Sequence, residues 1–229
     1  FVNQVAHDLR TPLTPIIILL PIIKNKIKDK LDKKNLERLD VVLNNAEYLS
    51  SLVKSTLSIS RLDSGKEEFN FKSNDIKKII DQIISNNKLI FQEKDITVKN
   101  NVKDNLPKVY CDKVKIREVL ENLVMNAAKF MTLEKKELTF DANPNNKYVT
   151  VSVKDTGIGI EKKHIEKIFE EFYKVDSARH EHSSGLGLSI CKRIIQKHKG
   201  KIWAESPGLN KGSNFKFTIP INKNKKKEI

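Results

Sequence analysis

The chain has 229 residues, enough for one or two domains that each bury their own core. Its 38% hydrophobic content, with only 8 Gly and 7 Pro, excludes a disordered or collagen-like protein. The formal charge of +14 would suit nucleic acid, but lysines are spread over the whole chain without interleaved aromatic residues, so no nucleic-acid partner is expected.

Residues 1–64 carry a helical pattern that one polar stretch, Lys24 to Lys34, interrupts, which predicts an antiparallel hairpin of two helices. The second arm has a heptad seam, formed by Leu36, Leu39, Leu43, Ala46, Ser50, Val53 and Leu57. Two helices do not enclose such a seam alone. We therefore expect a second copy of the hairpin to complete a four-helix bundle, so that the protein is a homodimer through residues 1–64.

A separate α/β domain is expected over residues 65–221, because helical and β-branched segments alternate there. A helix is predicted over Asp75 to Gln92. The predicted strands are Thr97 to Val102, Tyr148 to Lys154, Lys201 to Glu205 and Asn214 to Pro220. The fold class is therefore α+β, and residues 222–229 are expected to form a basic tail.

His7 lies on the first predicted helix, whose apolar face is formed by Phe1, Val5 and Leu9. This periodicity turns His7 toward solvent, with Asp8 adjacent and Thr11 one turn further along the same face. A surface histidine alone indicates no function. The whole string FVNQVAHDLRTPLT, residues 1–14, however, resembles the H box of sensor histidine kinases.

The resemblance implies that His7 is phosphorylated on Nε2 while Asp8 accepts or holds the Nδ1 proton. It also implies that Thr11 orients water for dephosphorylating the partner, although Thr11 is equally explained as a polar surface residue. The implied partner is the receiver domain of a response regulator. A sensor domain is expected upstream of Phe1, since the chain begins inside an apolar pattern without an initiator Met.

An amphipathic helix is predicted around Asn122, Asn126 and Lys129, with its apolar stripe at Ile116, Leu120, Leu123 and Ala127. An amide oxygen suits Mg²⁺, and a lysine suits a phosphate. Two solvated asparagines would explain the pattern if this helix stood alone.

Two glycine-rich turns follow. Asp155-Thr156-Gly157-Ile158-Gly159-Ile160 comes directly after a predicted strand, and residues 183–190 open a helix whose free amides suit phosphates. Between them, residues 168–184 run from apolar to polar and are expected to form a hinge and a lid. In this order NLVMNAAKF, DTGIGI, IFEEFYKVD and GLGLSI resemble the N, first glycine, F and second glycine boxes of histidine kinases. The resemblance implies a Bergerat-type α/β sandwich that binds ATP.

Carried over by position, the resemblance implies that Asn126 binds Mg²⁺, that Asn122 and Lys129 approach the phosphates, and that Asp155 receives the adenine amino group. Lys174 takes the position that reaches the γ-phosphate. The residues expected near the base or sugar are Phe130, Ile160, Ile168 and Tyr173. The glycine boxes contribute Gly157, Gly159, Gly185, Leu186, Gly187 and Leu188 to the ATP site. Ser183 departs from the family's usual glycine.

Two alternatives to a kinase are considered. Related ATPases such as gyrases carry a glutamate at the first N-box position, where this chain has Asn122, so water would be poorly activated and His7 is the better acceptor. A nucleotide-binding module without catalysis is the second alternative, and it has little support because His7, Asn126 and Asp155 are all present.

The remaining features point to no further site. Cys111 and Cys191 lack the spacing of a metal or disulfide motif. The longest apolar run, Leu13 to Ile23, is too short to span a bilayer, so a cytoplasmic domain is expected, with membrane attachment of the full protein open. His164, His180, His182 and His198 are expected on the surface, and Trp203 in a strand.

Overall fold

The structure, a computed structural model, describes residues 2–175 and 184–221, without the side chains of residues 2–4 and 7. Its contacts group the chain into two units. Residues 1–67 and 171–187 form the first unit, and residues 68–170 and 188–229 form the second.

The first unit contains the predicted helical hairpin. Helix α1 spans Val2–Ile27, a short 3₁₀ helix follows at Lys28–Lys30, and α2 spans Lys33–Asp63. The side chain of Asp32 caps α2 by accepting a hydrogen bond from the Asn35 amide at 2.7 Å. An ion pair between Lys24 and Asp40 joins the two arms. The hairpin predicted from the polar stretch is therefore confirmed.

Apolar side chains of the hairpin divide into a covered set and an uncovered set. The heptad seam of α2 is buried or half-buried at every predicted position. A stripe on α1, in contrast, is between 40% and 52% exposed, and its members are Val5, Leu9, Ile16, Leu19 and Ile23. We call this set the α1 stripe. Over residues 2–175 and 184–221, no helix has both the length and the apolar character needed to cross a bilayer.

The second unit contains one large sheet and a small one. Its strands and helices are β1 (Lys72–Asn74), α3 (Ile76–Asn86), α4 (Lys88–Glu93), β2 (Thr97–Asn100), β3 (Val109–Cys111), α5 (Lys113–Phe130), β4 (Glu137–Pro144), β5 (Tyr148–Asp155), α6 (Gly187–Lys197), β6 (Ile202–Glu205) and β7 (Ser213–Pro220). The five-stranded sheet has the order β2-β4-β5-β7-β6, and β1 pairs with β3 separately. Only β2 and β4 run parallel within the large sheet.

The core of this unit follows from strand and helix periodicity. Val149, Val151 and Val153 of β5 are buried, and their neighbours across β7 are also buried: Phe215, Phe217 and Ile219. The predicted stripe of α5 is buried along its whole length, as are four of the five isoleucines of α3. Each such side chain contributes about 1.5–3 kcal/mol on burial. The α/β prediction is confirmed.

The single helix predicted over residues 75–92 is wrong, because the chain forms two helices separated at Asn87. Asn87 is 1% exposed, and its amide donates to the Ile83 carbonyl at 2.9 Å and to Glu121 Oε2 at 3.1 Å. A buried asparagine that bonds the backbone competes with the helical ladder. The break thus satisfies a polar group that the apolar periodicity does not reveal.

The surface assignment of His198 is also wrong. His198 is 1% exposed, its Nε2 accepts from the Asp112 amide at 3.0 Å, and its Nδ1 lies 2.7 Å from the Ile194 carbonyl. The rings of Phe69 and Phe71 pack edge-on against it. Burial lowers the pKa of His198, so the neutral ring with its proton on Nδ1 satisfies both contacts.

Other predictions for single residues have mixed outcomes. His164 and Trp203 are half-buried, and the Trp203 indole donates to Glu205 Oε1. Both cysteines are buried and free. Phe1, His180, His182, Ser183 and the tail at 222–229 lie outside the described residues.

Candidate functional site

The H-box residues lie on α1. His7 is in the helix, and its side chain lies outside the described part. Asp8 and Thr11 are exposed, whereas Ala6 is buried, so one side of this helical turn faces solvent. Pro12 and Pro15 lie inside α1 and, like every proline, carry no amide hydrogen to donate within the helix.

Helix α5 carries the N-box residues on its partly exposed side. Asn122, Asn126 and Lys129 are half-buried, opposite the buried apolar stripe. The Asn122 amide donates to the Glu118 carbonyl at 3.0 Å, which leaves its oxygen as an acceptor. The Lys129 ammonium lies 5.7 Å from the ring centroid of Phe130. One side of α5 therefore presents two amides and a cation.

A turn at residues 155–160 follows β5, and we call it the nucleotide turn. The Ile158 amide donates to the Phe130 carbonyl at 3.1 Å, so the turn is attached to the last residue of α5. Gly159 has φ +70°, and a Cβ there would lie 2.1 Å from the Gly208 carbonyl oxygen. Only glycine fits such a position. The fold thus brings the N box and the first glycine box together.

Asp155 is a buried carboxylate at the start of this turn, and it is 4% exposed. Its Oδ1 accepts from the Gly157 amide at 2.7 Å and from the Ser213 amide at 3.3 Å, and its Oδ2 accepts from the Ser213 hydroxyl. Burial raises the pKa of Asp155, while these hydrogen bonds act in the opposite direction. The result is a buried carboxylate that three hydrogen bonds orient.

Ser213 was not predicted as a site residue from the sequence. It lies at the start of β7, and it meets Asp155 only because β5 and β7 pair in register at these two residues. The single local signal is the pair Gly212-Ser213 directly before the strand predicted over Asn214 to Pro220. Nothing in that pair indicates which residue it contacts.

The F-box residues fall into both units. In the second unit Ile168 is buried, and Phe169 packs edge-on against Phe215 at 6.4 Å. Ile160, the last residue of the first glycine box, is half-buried in the same unit. In the first unit Tyr173 and Lys174 are half-buried.

Contacts within the first unit hold the two ends of the segment at 171–187. The Lys174 ammonium lies 5.7 Å from the ring centroid of Tyr48. Gly185 has φ +68°, and a Cβ there would lie 2.9 Å from the Phe172 backbone. Leu186 is buried, Gly187 begins α6, and Leu188 is the first α6 residue of the second unit. Residues 176–183 of the predicted lid lie outside the described residues.

The donor set fits a magnesium ion held mainly by phosphate and water. Among residues 2–175 and 184–221, no three His, Cys, Asp or Glu side chains cluster in a way that could hold a metal. Mg²⁺ needs few protein ligands when it binds together with phosphates, and an amide oxygen is a suitable one. The half-buried Asn126 offers such an oxygen.

Comparison with known proteins gives matches for both halves of the chain. Residues 1–65 match the His Kinase A (phospho-acceptor) domain, and residues 111–223 match the Histidine kinase-, DNA gyrase B-, and HSP90-like ATPase. The sensor histidine kinase WalK of Bacillus subtilis (strain 168) is 37% identical over 224 residues, 96% of this chain and 36% of WalK. The autoinducer 2 sensor kinase/phosphatase LuxQ of Vibrio vulnificus (strain YJ016) is 31% identical over 234 residues, 97% of this chain and 26% of LuxQ. The chain thus spans well under half of the length of these relatives.

Solved structures of similar proteins include full-length ShkA in complex with AMPPNP. It has a TM-score of 0.77 and 27% identity over 96% of this chain and 45% of ShkA. The nucleotide-free catalytic domain of histidine kinase ThkA has a TM-score of 0.59 and 30% identity over 66% of this chain and 98% of that domain. ThkA in complex with response regulator protein TrrA has a TM-score of 0.65 and 26% identity over 96% of this chain and 60% of that chain.

These matches agree with the α1–α2 hairpin and with the α/β unit that follows it. The chain therefore belongs to the histidine kinases, with a phospho-acceptor segment at residues 1–65 and an ATPase module of the histidine kinase type at residues 111–223.

Proposed function

We propose that this chain is the catalytic core of a sensor histidine kinase, which transfers the γ-phosphate of ATP to His7 and from there to an aspartate of a response regulator. The observation that carries the proposal is the buried, hydrogen-bonded Asp155 beside a glycine turn attached to α5. Burial of a carboxylate is costly even when hydrogen bonds offset it, so a buried carboxylate whose pKa is shifted by its surroundings is a candidate functional group.

ATP binds with its base at Asp155, whose carboxylate accepts a hydrogen bond from the adenine amino group. The Phe130, Ile160, Ile168 and Tyr173 side chains supply apolar contact to the base and sugar. Asn122, Lys129 and Lys174 meet the phosphates, together with the backbone of Gly185 to Leu188. The crystal structure of ShkA with AMPPNP supports a nucleotide ligand for this fold.

Asn126 would hold Mg²⁺ through its amide oxygen, together with phosphate and water. Such an ion would supply charge neutralisation at the phosphate oxygens. The protein's part is to hold that amide on the same side of α5 as Asn122 and Lys129, which the spacing of three to four residues does.

Transfer forms a bond between His7 Nε2 and the γ-phosphorus, and the bond from that phosphorus to the bridging oxygen of ADP breaks. The lone pair on Nε2 is available while the ring proton stays on Nδ1, and the carboxylate of Asp8 accepts or holds that proton. ADP leaves with the electron pair of the broken bond. Because Asn122 replaces a hydrolytic glutamate, water is a poorer competitor than His7.

The phosphoryl group then passes to the receiver domain of a response regulator, and the structure of ThkA with TrrA supports this class of partner. We further propose that exposed Thr11 orients a water molecule for a second activity, hydrolysis of the phosphoryl group on the regulator. LuxQ, which carries the name of a kinase and phosphatase, supports this second activity. A sensor region outside this chain would set the balance, since the chain covers only 26–36% of these relatives.

Labelling with γ-³²P-ATP and magnesium tests the kinase proposal. We expect acid-labile, alkali-stable label on the wild type and none on His7→Gln or Asn126→Ala. The matched control is His164→Gln, which makes the same change at a half-buried histidine outside the proposed site and should keep the label. Equal labelling of His7→Gln and wild type would refute His7 as the acceptor.

We also propose that residues 1–64 form a homodimer that covers the α1 stripe, because five apolar side chains at heptad-like spacing are exposed there. Leu19→Glu should convert the dimer to a monomer in sedimentation experiments. Leu89→Glu is the control, since Leu89 is 72% exposed on α4 and lies outside the hairpin. A dimer that persists in Leu19→Glu would contradict the proposed interface.

A further inference from the structure

The loop between β6 and β7, residues 206–212, attaches to the nucleotide turn along its length. The Gly212 amide donates to the Gly157 carbonyl at 3.0 Å, and the Asn210 amide donates to the Ile158 carbonyl at 2.7 Å. The Ile160 amide donates to Ser206 Oγ at 2.9 Å. Two of these bonds join backbone groups, so Ser206 supplies the side-chain hydrogen bond of the set.

The Ser206 hydroxyl is fully used by backbone groups. It accepts from the Ile160 amide and, at 3.3 Å, from the Gly208 amide. Its single proton is donated to the Gly212 carbonyl at 2.7 Å, and the Gly208 carbonyl lies at 3.3 Å as a more distant acceptor. A hydroxyl has one donor and two acceptor sites, so this set occupies all three. One side chain therefore joins the end of the nucleotide turn to both ends of the loop.

The loop also leads directly to the partner of Asp155. Gly212 precedes Ser213, whose amide and hydroxyl both donate to the Asp155 carboxylate. The loop also lies close to the turn at Gly208, because a Cβ added at Gly159 would fall 2.1 Å from the Gly208 carbonyl oxygen. Loss of the Ser206 hydroxyl would therefore remove a hydrogen bond to Ile160 at one end of the loop. At the other end it would remove the bond to Gly212, the residue before the Asp155 partner Ser213.

We propose that Ser206 is a positioning residue for the adenine nucleotide, which acts through Ile160 and Asp155 without touching the phosphates. This assignment rests on the proposed function, since it takes the nucleotide turn as the site of the base. It goes beyond that function by making the β6–β7 loop part of the binding machinery.

ADP binding with Mg²⁺, measured by calorimetry, tests the assignment in three variants. Ser206→Ala should raise the Kd for ADP about five-fold, the range expected for loss of a hydrogen bond that orders the site. Ser206→Thr keeps the hydroxyl and should stay within about two-fold of wild type. Ser152→Ala is the matched control, because it removes a buried hydroxyl bonded to Asn214 at 2.6 Å on the same sheet and should leave ADP affinity unchanged.

A second readout separates positioning from mere stability. In His7 labelling, Ser206→Ala should raise the apparent KM for ATP and leave kcat unchanged, because the hydroxyl is remote from the transferred phosphate. A fall in melting temperature with wild-type ADP affinity would show a structural role only and overturn the assignment. If Ser206→Ala does not fold, Ser206→Cys, which keeps the volume and weakens the hydrogen bonds, must weaken ADP binding for the assignment to stand. Failure of the wild type to bind ADP would overturn the proposed function itself.

Discussion

The hydrogen bond from the Ser213 hydroxyl to Asp155 offers a direct test of how the nucleotide turn is held. In Ser213→Ala the Asp155 carboxylate keeps the Gly157 and Ser213 amides on Oδ1, but Oδ2 loses its hydroxyl donor. Both residues are buried, so water does not readily replace that donor. The expected effect is a loss of folding stability in the second unit.

The size of the loss follows from the charge and burial of Asp155. A hydrogen bond to a charged group contributes about 1.5–3 kcal/mol, and the 4% exposure of Asp155 calls for no discount for solvent. We expect Ser213→Ala to lower the unfolding free energy by about 2 kcal/mol near neutral pH, or the melting temperature by about 6 °C. When Asp155 takes up a proton, the loss should shrink, because the carboxyl is then neutral.

The assay is urea unfolding followed by the fluorescence of Trp203, the single tryptophan of the chain, which lies in β6 of the second unit. A double-mutant cycle with Asp155→Asn isolates the charge. In the Asp155→Asn background Ser213→Ala should lower the unfolding free energy by only about 1 kcal/mol, the value for a hydrogen bond between neutral groups.

The pH series has a defined sign. The pKa of Asp155 is raised by burial, so the native state binds the proton at a higher pH than the unfolded chain does. The cost of Ser213→Ala should therefore be largest above this raised pKa and decline as pH falls through it. A cost below about 0.5 kcal/mol at neutral pH, or an equal cost in the Asp155→Asn background, would refute the view that Ser213 stabilises a buried charge.

Three further outcomes are expected. Burial lowers the pKa of His198 below its ordinary 6.5, so as the pH falls the unfolded chain binds the proton before the native state does. The unfolding free energy of the wild type should therefore decrease below about pH 6.5, and more steeply than that of His198→Gln. Urea unfolding at about pH 5 to 8 measures this difference. Gly159→Ala should lower the melting temperature in calorimetry by more than Gly65→Ala does. Both glycines have positive φ, but only at Gly159 would a Cβ lie against a backbone oxygen. Asn87→Ala should lose about 1–2 kcal/mol in chemical unfolding, whereas exposed Asn86→Ala stays within about 0.5 kcal/mol.

Much of the fold was predictable because local periodicity determined it. The α1–α2 hairpin, the buried stripe of α5 and the alternation of β5 each come from spacing within a single segment, and each is present in the structure. The break at Asn87 was not predictable in this way. An asparagine in an apolar pattern shows neither that it will be buried nor that Glu121 will meet it, since that partner lies 34 residues away.

The candidate site likewise has residues that could be proposed from the sequence and contacts that only the structure shows. His7, Asn126 and Asp155 could be proposed from short strings whose order resembles that of one kinase family, and their roles stay predictions until the labelling experiment is done. The structure added what holds those residues in place. The link from Ser213 to Asp155 spans 58 residues, and that from Ser206 to Ile160 spans 46.

The sequence by itself determined the hairpin, α5, the strands β2, β5, β6 and β7, and the residues with chemistry to offer, because those depend on neighbours a few positions apart. Only the tertiary structure decided which buried polar groups satisfy one another. Asp155 has its Ser213 donors because β5 pairs with β7. His198 is covered by the rings of Phe69 and Phe71, and it accepts a hydrogen bond from Asp112, which is 86 positions earlier in the chain. A buried charge or ring must find such partners, and contacts between segments distant in the chain, rather than local propensity, supply them.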